Sequence, residues 1–179
     1  MPVLNIVYAP NEIFRQCAQP IAQVTKEIQQ IADDMLVTLE FEKAVGLGAN
    51  MVGILKRIVV ISIKEHNTSK AICMINPEIT WKASETQVFE EASLSYPGIS
   101  AKVTRPNAVK VKYLDYDGKE QELVAKGFLA TIVQHEIDYL DGIVFVDYLS
   151  KMKREILLKK MKKYLRTNLP HVHGVHCHH

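Results

Sequence analysis

The stretch that most limits how this chain can fold is "FLATIVQHEIDYLDG", residues 128–142. Phe128, Leu129, Ile132, Val133, Ile137 and Leu140 recur at helical spacing and Gly142 is placed to stop the turn, so residues 128–140 read as one apolar α-helix. The same helix carries His135 and Glu136 in a near-match to H-E-x-x-H, where two histidines one turn apart hold a divalent ion and the glutamate is a general base. Tyr139 stands where the second histidine would be. On the helix alone, His135 reads as a hydrogen-bonded core residue, because a catalytic metal normally needs three protein ligands.

Several strands surround this helix. "VTKEIQQIADDMLVTLEF" places Ile28, Ile31, Met35 and Leu39 on one helical face over residues 24–41, and the glycine-rich loop "AVGLGANMVGI" leads into a β-branched strand, "KRIVVISI". Strands continue through "AICMINPEITW" and "SETQVFEEASLSYPG". In "NAVKVKYLDYDGKEQELVAKG" the pair Asp117-Gly118 marks a hairpin. A last helix, "VDYLSKMKREILLKKMKKYLR", precedes the tail "TNLPHVHGVHCHH". With no repeat or linker in 179 residues, the expectation is one α+β domain.

The N-terminus lacks a basic segment followed by an apolar run and cleavage site, and no apolar stretch is long enough to span a bilayer. Cys17, Cys73 and Cys177 are scattered and odd in number, which suits a reducing compartment. These features predict a cytoplasmic protein with no membrane association.

Three segments in fixed order resemble the signature motifs of peptide deformylases: "GLGANMVG" their G-x-G-x-A-A-x-Q loop, "EASLS" their E-G-C-L-S strand end, and "QHEIDYLDG" their Q-H-E-x-D-H-L-x-G helix. "VLNIVYAPNEIFRQCAQPI", "MINPEI" and "YPGISAKVTRP" add to the likeness, which covers residues 1–166. It implies the deformylase fold, with short, mostly antiparallel strands around the motif helix and a C-terminal helix. It also implies the family's role, removing the formyl group from the N-terminal formyl-methionine of new polypeptides. That chemistry uses iron or zinc, held by the cysteine of the second motif and both histidines of the third. The motif glutamate helps deprotonate water on the metal. The glutamine of the first motif and the backbone amide after the cysteine stabilise the oxyanion.

Carried over residue by residue, the ligand positions are Ser93, His135 and Tyr139, the general base is Glu136, and the oxyanion positions are Met51 and the backbone of Leu94. Gly46, Gly48, Glu91 and Tyr96 are implied to border the substrate. A serine hydroxyl stays protonated at neutral pH, a phenol ionises near pH 10, and a thioether cannot donate a hydrogen bond. Ala44, Gly48 and Asn50 also depart from the family's glycine, alanine and proline. By contrast Gly46, Gly53, Glu91, Leu94, Ser95, Pro97, Gly98, Arg105, Asp138, Leu140 and Gly142 match it. The expectation is a retained fold with no metal at the motif site, Ser93 and Tyr139 filling the cavity and hydrogen-bonding His135 and Glu136. The protein would be inactive or weakly active. The alternatives are a residual metal-dependent deformylase with an atypical ligand set, and a scaffold for an unknown protein. A Ser93–His135 hydrolase is disfavoured, since Glu136 points to a different helix face and cannot orient the histidine.

Residues 151–166 hold eight basic side chains and one acidic one, a net +7 against +2 for the whole chain, so the remainder is −5. Leu149, Met152, Ile156, Leu157, Met161, Tyr164 and Leu165 recur at helical spacing, predicting one packed face and one cationic stripe. The resemblance implies that this helix meets the ribosome, with a nascent formyl-Met peptide as the other candidate partner. A membrane-surface helix fits less well, because the apolar face lacks tryptophan and phenylalanine. A monomer is expected. His171, His173, His176, Cys177, His178 and His179 would bind metal adventitiously, so residues 167–179 are assigned to a flexible tail.

Overall fold

"IVVISI" is apolar at successive positions rather than alternate ones, which suits a strand covered on both faces. The computed structural model, which describes residues 1–65 and 67–168, gives it that environment. Along the chain run α1 (Lys26–Phe41), β1 (Gly46–Gly48), β2 (Ile58–Glu65), β3 (Thr68–Lys82), β4 (Thr86–Ser93), β5 (Tyr96–Pro106), β6 (Ala108–Leu114), β7 (Glu120–Lys126), α2 (Gly127–Leu140) and α3 (Lys151–Asn168). Short 3-10 turns occupy Glu12–Arg15, Ala49–Val52 and Phe145–Tyr148. One antiparallel sheet has the order β1-β2-β3-β6-β7, and β4 pairs with β5 in a second. Ile58 and Val60 enter a core shared with α1, while Val59 and Ile61 enter one shared with α2.

The expected α+β class therefore holds, with α2 packed against strands of both sheets. Four local expectations need correction. The glycine-rich segment is not a loop: Gly46–Gly48 pairs with β2 and Ala49–Val52 forms a 3-10 turn. "SETQVFEEASLSYPG" is not one strand, because the chain reverses at Leu94 and Ser95 between β4 and β5. The last helix starts at Lys151, not Val146, and continues through Thr167 and Asn168, so a domain boundary at residue 166 would cut it. The histidine-rich part of the tail, residues 169–179, lies outside the described residues.

Fourth, the apolar face of α3 is packed only in part. Met161 is buried and Leu157, Leu158 and Leu165 pack on the core, but Met152 is 70% exposed and Ile156 61%. The helix rests on β5, and its first turns present these two side chains to solvent.

The seat beneath α3 requires a glycine. Gly98 has φ +77, and a Cβ there would lie 2.5 Å from the Tyr164 ring. We expect Gly98→Ala to lower the unfolding free energy by about 1–3 kcal/mol, the range for a side chain forced into the left-handed region. The Tyr164 ring adds a clash to that backbone strain, so the loss should shrink in part, though not vanish, when Tyr164→Ala is added. Equal losses in both backgrounds in chemical denaturation would show that the ring is not the obstacle.

Candidate functional site

Two residues from the second sheet and two from α2 form a buried ionic network. Arg105 is 3% exposed and donates from Nε to Glu91 Oε2 at 2.7 Å, from Nη2 to Glu91 Oε1 at 2.9 Å and from Nη1 to Asp138 Oδ2 at 2.7 Å. His135 Nδ1 lies 2.7 Å from Glu91 Oε1. The Tyr148 hydroxyl donates to Asp138 Oδ2 at 2.6 Å, and the Arg105 guanidinium sits 4.6 Å from the centre of its ring. Buried charge is tolerable only when paired in this way. Burial works to raise the Glu91 carboxyl pKa, but the hydrogen bonds from His135 and Arg105 outweigh it and leave the value lowered. Burial, with the bond to Asp138, pushes the Tyr148 hydroxyl up to about 12. The network fixes His135, whose ring stacks on Phe145 and tilts against Tyr139.

One helical turn further on, Tyr139 has no exposed surface. Its hydroxyl donates to Ser93 Oγ at 2.6 Å, and the same oxygen accepts the Ser95 N–H at 3.2 Å. Burial raises the Tyr139 hydroxyl well above its ordinary pKa, so it remains a neutral donor. Its ring meets Phe14 edge-on at 5.7 Å, and its backbone carbonyl accepts from Asn50 Nδ2 at 2.6 Å. The hydrogen-bond partners differ from those expected. Tyr139 and Ser93 bond to each other, His135 bonds to Glu91, and Glu136 stands apart.

Glu136 is 4% exposed and faces β1. A Cβ on Gly46 would lie 2.8 Å from Glu136 Oε1, so this glycine makes room for the carboxyl. The Gly48 N–H donates to the carboxyl, while Oε2 has no hydrogen-bond partner among the described residues. Burial is the main reason its pKa is pushed up to about 7, with Glu91 adding a smaller push. Asn50 Oδ1 and Ser95 Oγ are likewise buried without hydrogen-bond partners among the described residues.

Met51 and Tyr96 belong to the hydrophobic core around Tyr139 rather than to an open surface. Tyr96 packs between Phe14 and Phe145, and burial moves its hydroxyl up to about 12. Leu94 is half-buried at the turn between β4 and β5. The structure thus brings Gly46, Gly48, Glu91, Ser93, His135, Glu136 and Tyr139 together. A groove of about 890 Å3 borders the end of β1, with Leu36, Val37, Val45, Phe128, Leu129 and Ile132 in its wall. No local pattern in the sequence marks a role for Tyr148 or the Asn50 amide.

The donor set does not fit a divalent ion. Ser93 Oγ is engaged by Tyr139 and the phenol is protonated, so of the three positions Ser93, His135 and Tyr139 only His135 keeps a ligand-type side chain. Among the described residues no three His, Cys, Asp or Glu side chains converge where they could hold a metal.

The family model for polypeptide deformylase matches residues 3–155. The chain belongs to the polypeptide deformylase family. It is 57% identical over 178 residues to a "Peptide deformylase-like" protein of Rickettsia conorii, covering 99% of this chain and 97% of that one. To "Peptide deformylase 1" of the same organism it is 42% identical over 175 residues, with 94% and 99% coverage. The crystal structure of peptide deformylase from Ehrlichia chaffeensis superposes with a TM-score of 0.89 at 37% identity, covering 94% of this chain and 100% of that one. The deformylase architecture therefore survives with Ser93 and Tyr139 in it. Most of α3 lies beyond the span that the family model matches.

Proposed function

We propose that this deformylase-family protein is non-catalytic: it keeps the fold that receives a formyl-methionyl N-terminus but neither loads the family metal nor hydrolyses the formyl group. The observation that carries this reading is the 2.6 Å hydrogen bond from the buried Tyr139 hydroxyl to Ser93 Oγ, which joins two of the three family ligand positions to each other. Met51, 1% exposed, supports it further, because a packed thioether stands at the oxyanion position. The existence of both a "deformylase-like" relative and a "deformylase 1" in Rickettsia conorii agrees with a division of labour between two such proteins.

In this reading the protein acts in the cytoplasm by binding, with the groove beside β1 receiving the nascent chain and α3 holding it at the ribosome. Lys159, Lys160, Lys162 and Lys163 are exposed along one end of α3 and suit RNA phosphates, whose contacts weaken as salt rises. Among the described residues no helix is long and apolar enough to cross a membrane. We expect no formate release from formyl-methionyl peptides. We also expect salt-sensitive cosedimentation with ribosomes, which reversing those four lysines to glutamate should weaken by at least about tenfold. Cosedimentation unchanged by the reversal would remove the electrostatic basis of the reading.

A second reading, a residual deformylase with an atypical ligand set, draws on one observation: His135 and Glu136 persist, and His135 is still oriented by Glu91. It requires formate release that disappears in Glu136→Gln.

A further inference from the structure

β7 ends the five-stranded sheet, and among the described residues no strand lies beyond it. Its register with β6 sets Val109 against Ala125 and Val111 against Leu123, and the ladder runs on through Gly127 N–H to Asn107 O and Asp115 N–H to Lys119 O, each at 2.9 Å. Backbone groups in an antiparallel pair alternate between facing the partner and facing away. The odd-numbered residues therefore turn toward β6, and Glu120, Glu122, Val124 and Lys126 turn outward. All four are exposed.

Free strand edges template pairing with another strand, and proteins often blunt them with charge. Here the charges are arranged to complement themselves. Outward residues must oppose outward residues, so a two-fold pairing of β7 with a second β7 can be centred on Glu122, Leu123 or Val124. Centring on Glu122 sets two carboxylates directly opposite each other, which is destabilising. Centring on Val124 leaves Glu120 beyond the end of the partner strand. Centring on Leu123 pairs the whole of β7, sets Glu120 across from Lys126 at both ends, and lays Val124 against the stem of Glu122.

The side chains agree with that register. Val124 is 47% exposed and continues the cross-strand row Trp81–Lys110–Val124, in which Trp81 is also 47% exposed and Lys110 Nζ lies 5.8 Å from its ring centre. On the opposite face, half-buried Leu123 packs at the margin of the α2 core, where a second Leu123 would extend it. Two apolar residues at a sheet margin thus find cover from the same neighbour.

We propose that this chain forms a two-fold symmetric dimer through antiparallel β7–β7 pairing centred on Leu123, with reciprocal Glu120–Lys126 contacts. This departs from the monomer expected of the sequence. The edge lies at the far side of the sheet from β1, which carries Gly46 and Gly48, so the dimer does not depend on what happens at that site.

The test is sedimentation velocity on the full chain over a concentration series extending into the upper micromolar range, comparing wild type, Glu120→Lys, Lys126→Glu and an equimolar mixture of the two variants. Both substitutions are at exposed positions, and matching thermal melts establish that each variant is folded. We expect concentration-dependent dimer in the wild type and a dissociation constant raised at least about tenfold in each variant alone, since like charges then face each other twice. The mixture should recover the dimer, because each variant then supplies the charge that the other lacks. Wild type that remains monomeric throughout overturns the proposal. So does a dimer that either variant forms equally well alone, or that the mixture fails to restore.

Discussion

Replacing Arg105 with leucine should lower the unfolding free energy by about 3–5 kcal/mol, the usual cost of removing one partner from a buried ion network. The guanidinium serves Glu91 with two donors and Asp138 with a third, and it is 3% exposed, so water cannot take over these contacts without opening the core. Among the described residues Glu91 would retain only His135 as a buried partner. Arg105→Lys keeps the charge but loses the planar fork, and should recover only part of the loss. The loss should also diminish in acid. Because the folded pKa of Glu91 is lowered, its contribution is present above the ordinary carboxylate range and is lost as pH falls through the folded value. Urea denaturation at several pH values measures this directly. A cost under about 1 kcal/mol at neutral pH would mean that the carboxylates are satisfied without Arg105.

Replacing Glu136 with glutamine should do the reverse and stabilise the protein. Its carboxyl is raised to about 7 because burial penalises the charge, and Oε2 has no hydrogen-bond partner among the described residues. A raised carboxyl pKa means that the folded state binds this proton more tightly than the unfolded state. The resulting stability is greatest below the ordinary value, declines as pH climbs toward 7, and is gone above it. Glutamine is isosteric, can still accept the Gly48 N–H, and carries no charge to desolvate. The gain should therefore be small near pH 5 and reach roughly 2–4 kcal/mol at pH 8, following about 1.4 kcal/mol per unit of pKa difference. Two neighbouring carboxylates would thus give opposite responses, one held by three charged or ring donors and the other carried as a cost. A destabilising Glu136→Gln at pH 8 would mean that the carboxylate has a partner, such as a cation, that offsets its burial.

The sequence made the helices and strands legible wherever one stretch of chain carried its own reason. The apolar run of α2 ends at Gly142, and the Asp117-Gly118 turn is closed by Asp115, whose side chain accepts the N–H groups of Asp117 and Lys119. β2 announced its two-sided burial by having no polar alternation. Boundaries set by distant contacts were not legible. The reversal at Leu94 and Ser95 lies within a run that looks like one strand, and nothing within α3 itself separates the exposed Met152 and Ile156 from the packed Leu157 and Met161.

The site was legible as a set of positions but not as a set of bonds. Motif order identifies Ser93, His135, Glu136 and Tyr139 as neighbours, since their spacing belongs to a fold that the other motif residues still support. It cannot say that Tyr139 reaches Ser93 rather than His135, because that choice follows from the ring's packing on Phe14 and the hold of Asn50 on the Tyr139 carbonyl. Nor could it show that Tyr148, from the 3-10 turn after α2, completes the Arg105 network.

The central claim, that the family's metal site no longer exists in this chain, is tested most directly by metal content. The protein should be purified without oxygen and ended at Leu169, so that the histidines beyond do not contribute, and its iron, zinc, nickel and cobalt measured by elemental analysis. The double variant Ser93→Cys, Tyr139→His should be measured alongside it. The account predicts wild-type content far below one metal per chain and a rise toward one in the variant. One tightly held ion per chain in the wild type would contradict it and return Ser93, His135, Glu136 and Tyr139 to the status of ligands.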